Sequence, residues 1–174
     1  MGQSGHLTRS PELSAGGPSL VFRAGSLLCA LRLEDVIETM RPLPIRAMAG
    51  TPAFVRGICV MRGVPAPVVD VARMLGGEQA DPVRFVAVRT ERGPVAFATG
   101  EVLGIRTVDA GEATTGYAAL LSGAAASSPL VAGIVTSGDE PLLLLQSMRV
   151  VPDQVWVSAA GPAEWVPAAG PAAP

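Results

Sequence analysis

The side chains that most often carry out enzyme chemistry are few in this sequence and far apart. The only histidine is His6, close to the amino terminus, so no Ser-His-Asp or Cys-His pair can form within the apolar part of the chain. Cys29 and Cys59 both lie in apolar runs, where buried free thiols are more common than disulfides or metal ligands. We therefore expect no catalytic site of these kinds, no metal and no cofactor.

Nucleotide binding and carboxylate chemistry have little more support. All 13 basic residues are arginine, so the lysine of a phosphate-binding P-loop is missing. The 15 carboxylates could supply an acid and base pair, but Asp70 is placed to cap a helix, and Asp81 and Asp139 lie in turn sequences. The sequence favours a binding module rather than an enzyme. A small β-barrel enzyme or ligand carrier is the alternative from another class.

Charge and hydropathy limit the partners. The formal net charge is −2 and the arginines are scattered singly, so no basic stripe is available for nucleic acid. No uninterrupted apolar run approaches the length of about 20 residues that a membrane-spanning helix needs. The first ten residues are polar and do not resemble a signal peptide. We expect a cytoplasmic protein with no direct membrane insertion.

Short, β-branched apolar segments separated by turn residues indicate an all-β fold. Segments of this length predict strands rather than helices, and closure into barrels removes the exposed edges that short strands would leave. We predict two small five-stranded SH3-like barrels packed together, with short helical turns at Thr51-Pro52 and over residues 70–75. The predicted strands are residues 20–24, 27–33, 36–40, 58–61, 64–69, 83–88, 94–98, 102–105, 130–135 and 142–145.

Composition divides the chain into three parts. Residues 1–18 are small and polar and are expected to form a disordered leader. Residues 19–153 are expected to form one domain, with a subdomain seam near the polar stretch 76–82. Residues 154–174, rich in alanine and proline, are expected to form a flexible tail.

Residues 51–70 carry the most informative pattern in the sequence. Gly57 and Gly63 permit backbone conformations closed to other residues, so the strand between them can start and stop sharply. Arg62 is then held at a turn, on the same strand face as Ile58 and Val60. An apolar row that ends in a guanidinium suits the apolar face of an amphipathic helix. The alternative interpretation is a surface arginine between two ordinary turn glycines.

The same residues resemble the motif of the CheW family of chemotaxis adaptors. In that motif a proline-containing turn leads to Gly57, Arg62-Gly63 and then a proline-interrupted strand that ends in Asp70, and Val36-Ile37-Glu38 resembles the family's Val-x-Glu element. The resemblance implies a cytoplasmic, non-catalytic adaptor that binds the signalling tip of a chemoreceptor (methyl-accepting chemotaxis protein) in a groove between two barrels. It also implies a second face that binds the regulatory domain of a CheA-type histidine kinase. The receptor-binding residues that it implies are Val36, Glu38, Gly57, Arg62 and Gly63.

The sequence departs from the family pattern mainly in its second half. Val60 stands where the family usually has asparagine, and Cys29 stands where an aromatic residue is common. The strand over residues 96–100 lacks the usual acidic residue, and so does the region 146–149. Receptor binding is therefore better supported than kinase coupling. An accessory CheW-like paralogue that binds receptor but not kinase is the alternative.

Overall fold

Ten strands make up almost all of the regular structure in the computed structural model. It describes residues 16–109, 128, 130–147, 151–153 and 155–156. A 3₁₀ turn, Leu33–Asp35, follows the second strand, and one short helix, α1 (Val71–Met74), follows the fifth. The strands are β1 (Gly17–Ala24), β2 (Leu27–Arg32), β3 (Val36–Met40), β4 (Val55–Met61), β5 (Val64–Asp70), β6 (Arg84–Thr90), β7 (Gly93–Thr99), β8 (Val102–Val108), β9 (Val131–Ser137) and β10 (Glu140–Leu145).

The strands form two five-stranded sheets, which confirms the predicted all-β fold. The first sheet has the order β8-β1-β2-β10-β9, and the second has the order β3-β6-β7-β5-β4. Both sheets repeat one pairing pattern, in which three antiparallel strands are joined to an antiparallel hairpin through one parallel contact, β2 with β10 or β7 with β5. Each sheet is thus built from two hairpins and one additional edge strand, β8 in the first sheet and β3 in the second.

The chain does not cross from one sheet to the other at the polar stretch 76–82. It leaves the first sheet after β2, builds the whole second sheet from β3 to β7, and returns to the first sheet at β8. Residues 76–82 therefore connect α1 to β6 inside the second sheet. The two points at which the chain crosses between the sheets are the 3₁₀ turn, Leu33–Asp35, and residues 100–101.

Alternate residues of the central strands face different cores. Phe22 of β1 and Phe97 of β7 lie in a central core between the two sheets, and both are fully buried. Phe85 of β6 lies in a second core, on the opposite face of the second sheet, and Val21 of β1 lies in a third core on the opposite face of the first sheet. This burial on both faces explains why the strand sequences are continuously apolar rather than alternating.

The two cysteines are free and buried, as the sequence predicts. Cys29 lies in the central core and Cys59 lies in the second core. Burial raises the pKa of Cys29 to about 12 and that of Cys59 to about 11, because the apolar surroundings disfavour the thiolate. Both thiols are therefore protonated at neutral pH, as suits a packing role.

The predicted acidic cap and glycine stop of α1 are both present. The Asp70 carboxylate accepts a hydrogen bond of 3.0 Å from the Arg73 backbone N–H, and Gly76 ends the helix with φ of 88°. The turn expected at Thr51-Pro52 is not a helix, and that prediction is wrong. The Thr51 hydroxyl donates to the Met48 carbonyl, and the Val55 N–H donates to Pro52 O, so the chain enters β4 after one tight turn.

Replacing Asp70 by alanine is expected to destabilise the fold by about 1 to 2 kcal/mol, the usual effect of losing a helix cap. Asp70 is almost fully buried and also lies 3.5 Å from Nη1 of Arg56, so its loss removes two contacts. Urea unfolding monitored by circular dichroism measures the change. Asp139→Ala, in an exposed turn, is the control and should change the stability by less than about 0.5 kcal/mol. Equal effects of the two substitutions would contradict the capping role.

The segment after β10 attaches the first sheet to the second. The buried Ser147 hydroxyl donates a hydrogen bond of 2.8 Å to the Arg89 carbonyl of β6, and Asp153 pairs with Arg92 in the β6–β7 turn. Val155 is fully buried in the central core, and the Trp156 ring packs against it. Of the tail predicted to begin at residue 154, the structure thus describes two residues, and both belong to the core region. Within the described residues, no helix is long and apolar enough to span a membrane.

Candidate functional site

The turn between β4 and β5 holds Arg62 and Gly63 in a conformation with positive φ at both positions. The φ angles are 49° for Arg62 and 80° for Gly63, and Met61 pairs directly with Val64 on either side. A two-residue turn of this kind matches the twist of the strands that it joins, and glycine accepts it without strain. Arg62 is the only non-glycine residue with positive φ in the described part of the chain. The hairpin therefore fixes the arginine at its tip.

Arg62 forms a two-point ion pair with Glu38 of β3. The distances are 2.6 Å from Nε to Oε1 and 2.7 Å from Nη2 to Oε2. Since β3 and β4 are the opposite edges of the second sheet, this pair joins the two edges where the sheet curls toward closure. The Arg62 side chain remains 81% exposed, whereas that of Glu38 is 26% exposed. The carboxylate therefore orients the guanidinium while leaving most of it open to a partner.

The hydrogen bonds from Arg62 hold the pKa of Glu38 below its ordinary value of 4.5. A lowered pKa in the folded state means that the pair stabilises the fold at pH values above the unfolded-state pKa. That contribution is lost as the pH falls through the lower, folded-state pKa. At neutral pH the pair is fully formed, and the orientation of Arg62 becomes pH-dependent only in the acidic range.

The pKa of Glu38, measured from its side-chain carboxyl carbon in an NMR titration, is expected to rise toward 4.5 in the variant Arg62→Ala. The physical reason is that the variant removes both the donors and the positive charge. Glu78→Gln, in the loop after α1, serves as a control that leaves the Arg62 pair intact. The same Glu38 pKa in the wild type and in Arg62→Ala would contradict the ion pair in solution.

Gly57 lies at a β-bulge in β4, where the backbone of Arg46 and Ala47, in the segment before β4, passes close to it. Its φ is 137°, and a Cβ added there would lie 2.8 Å from the Arg46 carbonyl carbon and 3.0 Å from Ala47 Cα. The same approach allows Arg46 and Ile58 to exchange backbone hydrogen bonds of 2.8 and 2.9 Å. Gly57 thus positions the segment between β3 and β4 and has no side chain of its own to offer a partner.

The structure brings together some of the residues that the motif resemblance implies. Glu38, Arg62 and Gly63 form one contiguous cluster at the hairpin tip. Gly57 lies further along β4, at the bulge, and Val36 lies on β3, half-buried against the central core. Val36 therefore shares a strand with Glu38 but faces the core. Their role in receptor binding stays a prediction.

Sequence reasoning missed two residues that shape this region. Arg56 donates a hydrogen bond of 2.8 Å to the Ala80 carbonyl, which anchors the loop after α1 beside β4. Arg46 lies opposite Ile58, although proline residues around it gave no strand signal. Only the alternation of Leu43 and Ile45 with polar or proline residues could have indicated that this segment runs beside β4.

Two five-stranded sheets around a shared core, with an exposed hairpin at the rim, define an SH3-like two-barrel β protein. The crystal structure of scaffolding protein TtCheW from Thermoanaerobacter tengcongensis has this fold, with a TM-score of 0.62 and 20% identity over 76% of this chain and 90% of that chain. The family model described as CheW-like domain matches residues 18–154. The chain belongs to the CheW-like domain family.

Two curated relatives are similar over part of their length. The probable chemotaxis protein CheW of Rhizobium etli is 30% identical over 101 residues, which cover 56% of this chain and 65% of the relative. The chemotaxis protein CheW of Rhizobium meliloti is 34% identical over 79 residues, which cover 44% of this chain and 51% of the relative. The matched regions thus span between half and two thirds of the relatives' own lengths.

Proposed function

We propose that this protein is a cytoplasmic scaffold of a chemotaxis system that binds the signalling tip of a chemoreceptor. The observation that carries the proposal is Arg62, held at a hairpin tip by Glu38 and 81% exposed, in a chain of the CheW-like family. The guanidinium is not buried against the rest of the protein, and Glu38 fixes its orientation before a partner binds. A preorganised cation of this kind loses little side-chain entropy on binding. The proposed receptor-binding set is Val36, Glu38, Gly57, Arg62 and Gly63, in which Glu38, Arg62 and Gly63 lie at the hairpin tip, Gly57 positions the segment before β4, and Val36 supports β3 from the core side.

The same scaffold would connect the receptor to the regulatory domain of a CheA-type histidine kinase. The names of the relatives, which are chemotaxis proteins, and of the structural neighbour, a scaffolding protein, support a coupling role. The attachment of Ser147 and Asp153 to the β6–β7 hairpin supports it as well, because these contacts tie the first sheet to the second and could hold two partner-binding faces at a fixed angle. An accessory protein that binds receptor only is the second candidate. It is favoured by Gly100, the last residue of the segment 96–100, which stands where the family pattern has an acidic residue.

A non-catalytic role agrees with the hydrogen bonds and ion pairs that three of the described carboxylates form. Glu38 and Glu140 are paired with arginines, and Asp70 caps α1. None of these three is placed as an unpaired acid or base in an apolar cleft, which is the arrangement that a small β-barrel enzyme would need. Their partners give each of them a structural role.

Reconstitution of receptor, kinase and adaptor separates the candidates. The purified cytoplasmic signalling fragment of a chemoreceptor from the same organism is expected to bind the wild-type chain in co-sedimentation. Kinase autophosphorylation is then measured with and without the adaptor. Stimulation supports the coupling role, whereas binding without stimulation supports the accessory role. Failure of the wild-type chain to bind any chemoreceptor fragment encoded in the genome would overturn the proposal.

A further inference from the structure

Two segments leave the first sheet at the same end, and both meet Arg89 of β6. Because β2 and β10 run parallel to each other, the 3₁₀ turn after β2 and Ser147 after β10 emerge on the same side. The Arg89 guanidinium donates a hydrogen bond of 3.1 Å to the Glu34 carbonyl of the 3₁₀ turn. The Ser147 hydroxyl donates one of 2.8 Å to the Arg89 carbonyl. Arg89 therefore joins both segments to the end of the second sheet.

The Arg89 carbonyl takes its hydrogen bond from outside the sheet. Pro94 lies opposite Arg89 on β7 and has no N–H to donate. On the other side, β3 pairs with β6 only as far as Val88. Ser147, which is fully buried, supplies the donor that neither strand provides. Breaking this bond without moving the segment away would leave polar groups unsatisfied, so the bond favours one position of the segment.

Three further side chains extend this attachment over the β6–β7 turn. Asp153 forms an ion pair of 2.6 Å with Nη1 of Arg92. The Trp156 ring covers Gly93, because a Cβ added to that glycine would lie 3.5 Å from it. Val155 is fully buried in the central core. We define the clasp as the described residues after β10 that contact the second sheet or the central core: Ser147, Val151, Asp153, Val155 and Trp156.

The clasp is held less firmly than the strands. Within the described ranges its residues pair with no strand, whereas every strand is held by a ladder of backbone hydrogen bonds to its neighbours. The Arg92 and Asp153 side chains are 51% and 88% exposed, so their ion pair adds little stability. Segments that depend on a few side-chain contacts open at a lower free energy than the core of a fold.

The second crossing between the sheets lies at the opposite end of β7. There the Gly100 N–H donates a hydrogen bond of 2.8 Å to the Arg23 carbonyl, and the Arg23 N–H donates one of 2.9 Å to the Glu101 carbonyl. The seven residues of β7 separate this crossing from the β6–β7 turn by about 20 Å, at about 3.3 Å per residue. Opening of the clasp would therefore loosen one end of the contact between the sheets while the other end stays attached.

The clasp also reaches the strand that carries part of the proposed receptor site. The 3₁₀ turn is followed directly by β3, which contains Val36 and Glu38. Arg89 holds Glu34 of that turn through its side chain and Ser147 through its carbonyl. A shift of Arg89 when the clasp opens would therefore move the start of β3.

We propose that the clasp is a releasable connection between the two sheets. It opens while both sheets stay folded, and its closed form holds the start of β3 in the orientation that a chemoreceptor binds. The first half of this inference stands alone, and the second half rests on the proposed function. The closed form binds the receptor more tightly, and by linkage the receptor stabilises the closed form by the same factor. Ser147 is a positioning residue, because it is buried and acts through Arg89.

The first test needs no partner. Trp165→Phe leaves Trp156 as the only tryptophan of the chain, so fluorescence reports whether its ring is packed or in water. In urea, the Trp156 emission is expected to change at a lower concentration than the far-ultraviolet circular dichroism of the sheets. Coincident transitions would overturn the proposal, because the clasp would then open only when the whole protein unfolds.

Variants in the same Trp165→Phe background test which contacts close the clasp. Ser147→Ala is expected to lower the midpoint of the Trp156 transition by more than that of the circular dichroism transition. Ser26→Ala, in the exposed β1–β2 turn, is the matched control and should move neither.

Asp153→Arg, at an 88% exposed position, tests the clasp without disturbing a buried residue. It is expected to lower the Trp156 midpoint as well, and adding Arg92→Asp should restore it. Equal lowering of both transitions by Ser147→Ala would overturn the clasp as a separate unit. If Ser147→Ala does not fold, an unchanged Trp156 midpoint in Asp153→Arg would overturn it instead.

The second test measures the linkage to the receptor. Binding of a fluorescently labelled receptor signalling fragment is followed by anisotropy, and Ser147→Ala is expected to weaken it at least about threefold. Saturating fragment should in turn raise the urea midpoint of the Trp156 transition. Equal affinity of the wild type and Ser147→Ala would overturn the coupling to β3 and leave the proposed function intact. A wild-type chain that binds no fragment would remove the coupling together with the proposed function, whereas the fluorescence test would still decide whether the clasp opens by itself.

Discussion

Gly57→Ala is expected to destabilise the protein by about 3 kcal/mol or more, the largest effect of any single methyl group in the second sheet. Two costs combine at this position. The backbone has a φ of 137°, a conformation that residues with a side chain rarely adopt, and the added Cβ would meet the Arg46 carbonyl group and Ala47 Cα inside normal contact distances. The contacts are with backbone atoms, which cannot move aside by changing a rotamer.

The expected structural result is detachment of the segment before β4. To accept the methyl group, Arg46 must move away from Ile58, which breaks the two backbone hydrogen bonds between them. Leu43 and Ile45 then lose part of their packing against the second core. Amide hydrogen exchange should therefore show faster exchange at Ile58 and Arg46, together with a lower midpoint in urea unfolding.

Gly104→Ala provides a matched control. Gly104 also lies in a strand next to a β-bulge, and its φ is 116°, but a Cβ added there meets nothing within 4 Å. This variant carries the conformational cost alone and is expected to destabilise by about 1 kcal/mol. If Gly57→Ala and Gly104→Ala cost the same, the close approach of Arg46 does not contribute, and the positioning role of Gly57 is wrong.

The regular strands could be predicted from the sequence because each is short, apolar and bounded by turn residues. The ten predicted segments correspond one to one to the ten observed strands, with shifts of a few residues at their ends. Asp70 and Gly76 marked the two ends of α1 in the same local way. Local chemistry, such as a carboxylate before a helix or a glycine after it, is readable without knowledge of the tertiary structure.

The arrangement of the strands could not be read in the same way. Residues 76–82 mark a change in composition, yet β5 and β6 on either side of them belong to one sheet. Which strands share a sheet depends on pairing between strands that are distant in sequence, such as β2 with β10. The partnership of Glu38 with Arg62 likewise arises from the curl of the second sheet, which brings two edge strands together. The role of Arg46 was hidden because prolines beside it remove the strand signal.

Arg62→Glu is expected to reduce the affinity for the chemoreceptor signalling fragment by at least about tenfold, with little change in thermal unfolding. The side chain is 81% exposed, so its contribution to stability through a surface ion pair is small. The reversal places a second carboxylate beside Glu38 and replaces the cation at the hairpin tip by an anion. Anisotropy measurements of binding and calorimetric unfolding curves report the two effects separately.

The double variant Glu38→Arg with Arg62→Glu separates the two ways in which the ion pair could act. It restores an attractive pair between β3 and the hairpin, but it moves the guanidinium from the tip to the strand. If the pair served only to hold the sheet edges together, the double variant would recover binding. If the guanidinium contacts the receptor helix, binding stays low while the unfolding midpoint remains close to that of the wild type. We expect the second result, because the donors left free by Glu38 lie on the arginine at the tip and face solvent. Full recovery of binding by the double variant would show that Arg62 acts through the fold and does not touch the partner.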